Sequence, residues 1–160
     1  MKRMGILGVN THTESLIREL FKAIPDAQIF LSPGSSESAQ ILAREFPCWT
    51  LDSHQALVDE VDIIFINADR NALHELSRSL TLHRSHTLIS LAVGVQVSEL
   101  QHMFNHSDCA RLILAIVNDS NKPNVILTTV GEETERLFSL LGPVSMLSQE
   151  SDFNLVETNR

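Results

Sequence analysis

Gly5-Ile6-Leu7-Gly8-Val9-Asn10-Thr11-His12-Thr13 is the segment best placed to do chemistry in this sequence: an apolar run gives way to small and polar residues, and an amphipathic stretch follows. That order predicts a strand, a tight turn and the start of a helix. Backbone amides at a helix start lack partners and carry the positive end of the helix dipole, so such a turn attracts an anion. Dinucleotide-binding turns spell this G-x-G-x-x-G/A, and with Gly8 as the first glycine the second position falls on Asn10 and the third on Thr13. A side chain at Asn10 is expected to crowd a pyrophosphate, and a branched Thr13 to obstruct close helix packing. A strand-to-helix turn that holds no ligand fits the same residues.

Other reactive residue types form weaker patterns. His102 and His106 lie four apart and His83 and His86 three apart, but neither pair brings the third ligand that a zinc site needs. They read as exposed histidines near helix ends, and no metal is expected. Ser90 lacks a G-x-S-x-G elbow, and Cys48 and Cys109 stand far apart in no metal or redox spacing, so acyl transfer and a disulfide framework are not expected. Asp59, Glu60 and Asp62 read as a solvated helix end rather than a catalytic pair, since no base accompanies them.

The elements that must position these residues alternate along the chain. Apolar runs of strand length occupy residues 4–9, 28–31, 63–66, 87–91, 112–116 and 125–129. Helical periodicity marks 14–23, 36–45, 71–80, 97–104 and 132–141. The pattern βαβαβ and onward predicts an α/β fold, a Rossmann-type doubly wound, mostly parallel sheet with helices on both faces and ligands at the carboxyl ends of its strands. Turn residues at 32–34 and 121–124 fit loops at strand ends.

With 160 residues, 43% of them hydrophobic, the chain is long enough for one buried core, and 1–160 is read as a single domain. Twelve Lys and Arg against 20 Asp and Glu give a formal charge of -8 with no basic stripe, which disfavours nucleic acid and anionic membrane as partners. No segment approaches transmembrane length, the opening residues read as a strand rather than a signal peptide, and cytoplasm is the expected compartment.

Four segments in order resemble the amino-terminal domain of pyrroline-5-carboxylate reductases. GILGVNTHT stands for the family's opening G-F-I-G-x-G-N-M-A, and VDIIFINADRNAL for its A-D-V-V-x-L-A-V-K-P-Q. LISLAVGVQVSEL is similar to V-I-S-I-A-A-G-V-x-x-x-x-L, and RLILAIVNDS keeps only the asparagine of M-P-N-T-P, as Asn118. The resemblance implies an oxidoreductase that takes NAD or NADP and reduces a small cyclic imino acid in proline biosynthesis. It places a pyrophosphate over Gly8, Val9, Asn10 and Thr11, adenosine toward Ser32, Ser35 and His54, and nicotinamide toward Asn67, Ala68, Asp69, Ala92 and Gly94. His54 also fits as a cap of the turn after it, and Ser35 and Ser36 as helix N-caps.

Departures from the family qualify that picture. Asp69-Arg70-Asn71 replaces Lys-Pro-Gln, which brings a carboxylate beside a phosphate path. The second strand ends in Ser32-Pro33-Gly34-Ser35-Ser36, with neither the arginine of an NADP enzyme nor the acid of an NAD enzyme. Weak or absent dinucleotide binding is therefore expected. In the family a helical domain follows and supplies dimer contacts and substrate recognition, and this stretch by itself is expected to be inactive. Three readings stand: an imino-acid reductase's cofactor domain, a non-catalytic nucleotide-sensing module, and a scaffold that self-associates, for instance as a homodimer.

Overall fold

The computed structural model describes residues 2–32, 37–116 and 122–158. An eight-stranded sheet with the order β3-β2-β1-β4-β5-β6-β7-β8 runs through it. Its strands are β1 (Met4–Leu7), β2 (Ile29–Leu31), β3 (Trp49–Thr50), β4 (Ile63–Ile66), β5 (Thr87–Ser90), β6 (Asp108–Ala115), β7 (Asn124–Thr128) and β8 (Val144–Leu147). Neighbours from β3 to β6 pair in parallel, β7 pairs antiparallel with β6, and β8 runs parallel to β7. This is the expected Rossmann-type arrangement.

Residues alternate between the two faces of the sheet, as the pleat requires. Met4, Ile6, Ile29, Leu31, Ile63, Phe65 and Ile89 pack beneath α1 (Thr11–Ala23), α2 (Glu37–Glu45) and α6 (Glu132–Ser139), which contribute Leu16, Leu20, Leu42 and Phe138. Leu7, Phe30, Ile64, Ile66 and Leu88 face the other way, toward α3 (His54–Glu60), α4 (Arg70–Ser79) and α5 (Val97–Met103), which bring Leu57, Val58, Leu73 and Leu100. Central strands buried on both faces explain why they read as continuous apolar runs. No helix among the described residues is long and apolar enough to cross a membrane.

Several boundaries differ from the sequence reading. β1 stops at Leu7 because Gly8 turns to φ +84°, and β6 begins at Asp108, pairing first with β5 and then with β7. β3, β8 and α7 (Glu150–Thr158) carry no recognisable apolar run: Trp49 and Thr50 are both exposed, as are Ser145 and Met146. Residues 59–62, expected as a helix end, span the end of α3 and the two residues after it, with Glu60 paired to Arg3 and Asp62 accepting from the Arg3 amide. His86 contradicts the expectation of an exposed helix-end histidine. It is 4% exposed before β5, stacked on His83, because its two ring nitrogens bond the Val58 carbonyl of α3 and the His83 amide.

Candidate functional site

β1 and β4 are neighbours, but the chain leaves β1 for β2 on one side and β4 for β5 on the other. Loops after such a pair diverge and leave a crevice at the carboxyl ends, where doubly wound proteins take their ligands. Gly8 to Asn10 form one wall of it and Asn67 to Asp69 the other.

In the first wall nearly every polar group is already engaged. The Gly8 amide donates to Ser32 Oγ at 3.2 Å, which ties the end of β2 to the turn. Asn10 is the N-cap of α1: its Oδ1 accepts from the amides of His12 at 3.1 Å and Thr13 at 3.2 Å. Thr13 completes the box, its hydroxyl accepting from the Asn10 amide at 2.8 Å and donating to the Gly8 carbonyl at 3.0 Å. Thr13 is fully buried. The expectation that it obstructs helix packing is corrected: the residue is accommodated fully buried, and its hydroxyl satisfies two backbone groups of the turn. Among the described residues, the Val9 and Thr11 amides carry no such bond.

Asn10 also reaches across the crevice. Asn67 Nδ2 donates to Asn10 Oδ1 at 3.2 Å, and Asn10 Nδ2 approaches the Asn67 carbonyl at 3.5 Å. The two side chains thus bridge the switch point, in the space a pyrophosphate would enter. Asp69 is exposed and caps α4, accepting from the Ala72 amide at 2.8 Å. Its carboxylate sits at the positive end of that helix dipole.

Beyond Asn67, a recess of about 130 Å³ opens at the carboxyl ends of β4, β5 and β6, lined by Leu91, Val93, Leu112, Leu114 and Ile116 with His12 at its rim. Ala92 is buried and Val93 exposed, while Gly94 turns at φ +76°. A larger recess of about 700 Å³ lies at the opposite, amino ends of those strands, among Asp62, Asp108, Glu132 and Glu133. It is remote from the switch point, so the smaller recess is the one relevant to the cleft.

Ser53, not His54, caps α3, its hydroxyl accepting from the Ala56 amide at 3.0 Å. The capping role expected for His54 is therefore corrected. As the first helical residue it points no acceptor back to its own helix start, and its Nδ1 is buried without a partner. Ser35 and Asn118, as well as the possible cap Ser36, lie outside the described residues. Burial pushes the thiols of Cys48 and Cys109 up to about 11, which leaves both protonated and unreactive. Among the described residues no group of three or more His, Cys, Asp or Glu could hold a metal ion.

Sequence reasoning missed Arg111. Its side chain is fully buried on β6 beneath α7, with Phe153 stacked on the guanidinium at 4.4 Å. Nη1 donates to Glu150 at 3.2 Å and to Asn154 Oδ1 at 3.1 Å, Nη2 donates to Glu157 and to the Ala92 carbonyl at 3.4 Å, and Nε has no partner. A lone arginine in the apolar run of β6, with Glu150 and Glu157 two helical turns apart on α7, was the available signal.

No family model matches the chain, and no curated protein matches it in sequence. Solved structures do match in fold. A pyrroline-5-carboxylate reductase from Coxiella burnetii superposes with a TM-score of 0.76 at 16% identity, over 93% of this chain and 60% of its own. A reductive aminase from Aspergillus terreus in complex with NADPH4, cyclohexanone and allyl amine gives 0.80 at 11%, over 99% and 59%. An imine reductase from Myxococcus stipitatus in complex with NADP+ gives 0.77 at 15%, over 98% and 59%. The chain spans about 60% of the length of these proteins. The likeness is one of fold, and it includes the pyrroline-5-carboxylate reductases that the four sequence segments resemble.

Proposed function

We propose that this chain is an NAD(P)-binding domain of a pyrroline-5-carboxylate reductase-like oxidoreductase, and that it holds the dinucleotide weakly. The observation that carries the reading is the β1/β4 switch point, with positive-φ glycines at Gly8 and Gly94 and an apolar recess between them and β6. Fold likeness to proteins solved with NADPH and NADP+ supports it. In this reading Gly8, Val9, Asn10 and Thr11 border the pyrophosphate, and Ser32, Ser35 and His54 the adenosine, where the unpaired His54 Nδ1 has a hydrogen-bond partner to gain. Asn67, Ala68, Asp69, Ala92, Gly94 and Asn118 border the nicotinamide. A bound cofactor would supply hydride for a cyclic imino acid.

Weakness follows from the turn itself. An incoming phosphate must compete with Asn10 Oδ1 for the His12 and Thr13 amides and must part Asn10 from Asn67. A recess of about 130 Å³ is also well below the roughly 300–1,000 Å³ of ordinary small-molecule pockets, so cofactor ring and substrate do not both fit there. The single-domain extent 1–160, a cytoplasmic location and assembly as a homodimer belong to the same proposal.

The Asn10–Asn67 bridge and the use of Asp69 as a helix cap favour a second reading, a non-catalytic scaffold module whose crevice takes no nucleotide. Calorimetry with NADH and NADPH separates the two. Weak but saturable binding that strengthens in Asn10→Gly supports the cofactor domain. No heat with either nucleotide, in either protein, supports the second reading.

A further inference from the structure

Four hydrogen bonds tie the short loop between β5 and the start of α5 to Arg111, α7 and α4, and three of them trace to Arg111 or α7. Arg111 Nη2 donates to the Ala92 carbonyl at 3.4 Å. The Gly94 amide donates to Glu157 Oε1 at 3.2 Å, and the Val97 amide, at the start of α5, donates to Glu150 Oε1 at 2.5 Å. From the other side Arg70 Nη2 donates to the Gly94 carbonyl at 2.7 Å while its guanidinium grips Glu99.

Glu157 and Glu150 each use one oxygen on the loop and the other on Arg111. The guanidinium is fully buried, and the Glu157 side chain is 11% exposed. A buried charge held by two carboxylates fixes their orientation far more tightly than a surface pair does, because releasing either leaves the other uncompensated. Val93 lies between the two held residues, 70% exposed, and forms a wall of the apolar recess. An exposed apolar side chain on a loop is ordinarily mobile. Here the backbone on both sides of it is fastened.

We infer that Arg111, Glu157 and Arg70 are positioning residues that set the Ala92–Val93–Gly94 wall of the recess, and with it the grip on the nicotinamide half of a dinucleotide. The inference rests on the nucleotide reading above and deepens it. None of the three touches the ring; each acts through the loop backbone. The adenosine half, bordered by Ser32 and His54, is independent of the clamp.

The test uses Glu157→Ala and Arg70→Met, the latter leaving the buried guanidinium and α7 intact should the former fail to fold. Hydrogen exchange reads the Gly94 amide, and calorimetry compares NADPH with ADP, which lacks the nicotinamide half. The expected result is exchange at Gly94 faster by about tenfold or more in Glu157→Ala, the equivalent of one charge-assisted hydrogen bond. NADPH affinity should fall about tenfold in both variants with ADP affinity unchanged. Unchanged exchange, an unchanged preference for NADPH over ADP, or equal losses for both ligands would overturn the clamp while leaving the nucleotide reading in place. If neither ligand binds any of the proteins, Asn10→Gly included, the nucleotide reading falls and the inference falls with it.

Discussion

Asn67 Nδ2 donates to Asn10 Oδ1 at 3.2 Å, joining the two walls of the crevice at the carboxyl ends of β1 and β4. The same oxygen caps α1. One side chain therefore stabilises the turn and, under the proposed function, occupies the space a phosphate would enter, so its two effects on the protein have opposite signs.

Asn10→Gly should accordingly bind better and fold less stably. Freed amides and a cleared crevice are expected to raise dinucleotide affinity by about one to two orders of magnitude. Loss of the cap and of the Asn67 bond should cost about 1 kcal/mol, since glycine itself is a tolerable N-cap. Calorimetry and urea unfolding on one preparation read both effects. Tighter binding with no loss of stability would show that the cap contributes nothing.

Asp69→Lys is expected to gain less affinity than Asn10→Gly, because it removes only a solvent-screened charge. It should lose more stability. The Ala72 amide loses its acceptor and a cation lands at the positive end of α4, together about 1–2 kcal/mol. In a chain of 160 residues that lowers Tm by about 3–6 °C. A thermal melt that does not move would reject the capping role.

How far the sequence disclosed all this depends on burial. β1, β4 and β5 were legible because each is covered on both faces and so reads as an unbroken apolar run. β8 and α7 were not, because α7 buries only Phe153 among the residues of its own length and β8 buries none. The Gly8 turn was legible as a place, but not as a closed one. Which partner Asn10 takes depends on Asn67, 57 residues away, and spacing along the chain carries no information about that. Arg111 was hidden for the same reason, its side-chain hydrogen-bond partners lying 39 to 46 residues on.

Thr13→Ala distinguishes the observed packing from the one the motif implied. If the branched side chain strained the helix against the sheet, alanine would stabilise the protein. The structure requires the reverse. The Asn10 amide loses its acceptor and the Gly8 carbonyl a donor, in a fully buried place, at about 1–3 kcal/mol. Denaturant unfolding gives the sign directly, and a more stable variant would overturn this account.

His86 should make stability fall as the solution is acidified from neutrality. Its Nδ1 accepts from the His83 amide and its Nε2 donates to the Val58 carbonyl, both at 2.9 Å, so the folded ring is held neutral with its proton on Nε2. Burial lowers its pKa below the ordinary 6.5; the Val58 carbonyl opposes that, the nearby His83 adds to it, and the Val61 backbone and Asp59 oppose it more weakly. Above 6.5 both folded and unfolded chains are neutral at this residue, and its full contribution is present. As pH falls through that value the unfolded chain takes up a proton that the folded one refuses, and stability drops until the folded value is reached. The paired carboxylates Glu45 and Glu99, held low by Arg18 and Arg70, lose their contribution only at more acid pH, below the ordinary carboxylate value of 4.5. The interval from about pH 7 to 5 therefore reports His86. Urea unfolding at several points across it should show declining stability in the parent protein and a flatter profile in His86→Gln. Equal slopes in the two proteins would mean that the buried imidazole is not the group that titrates.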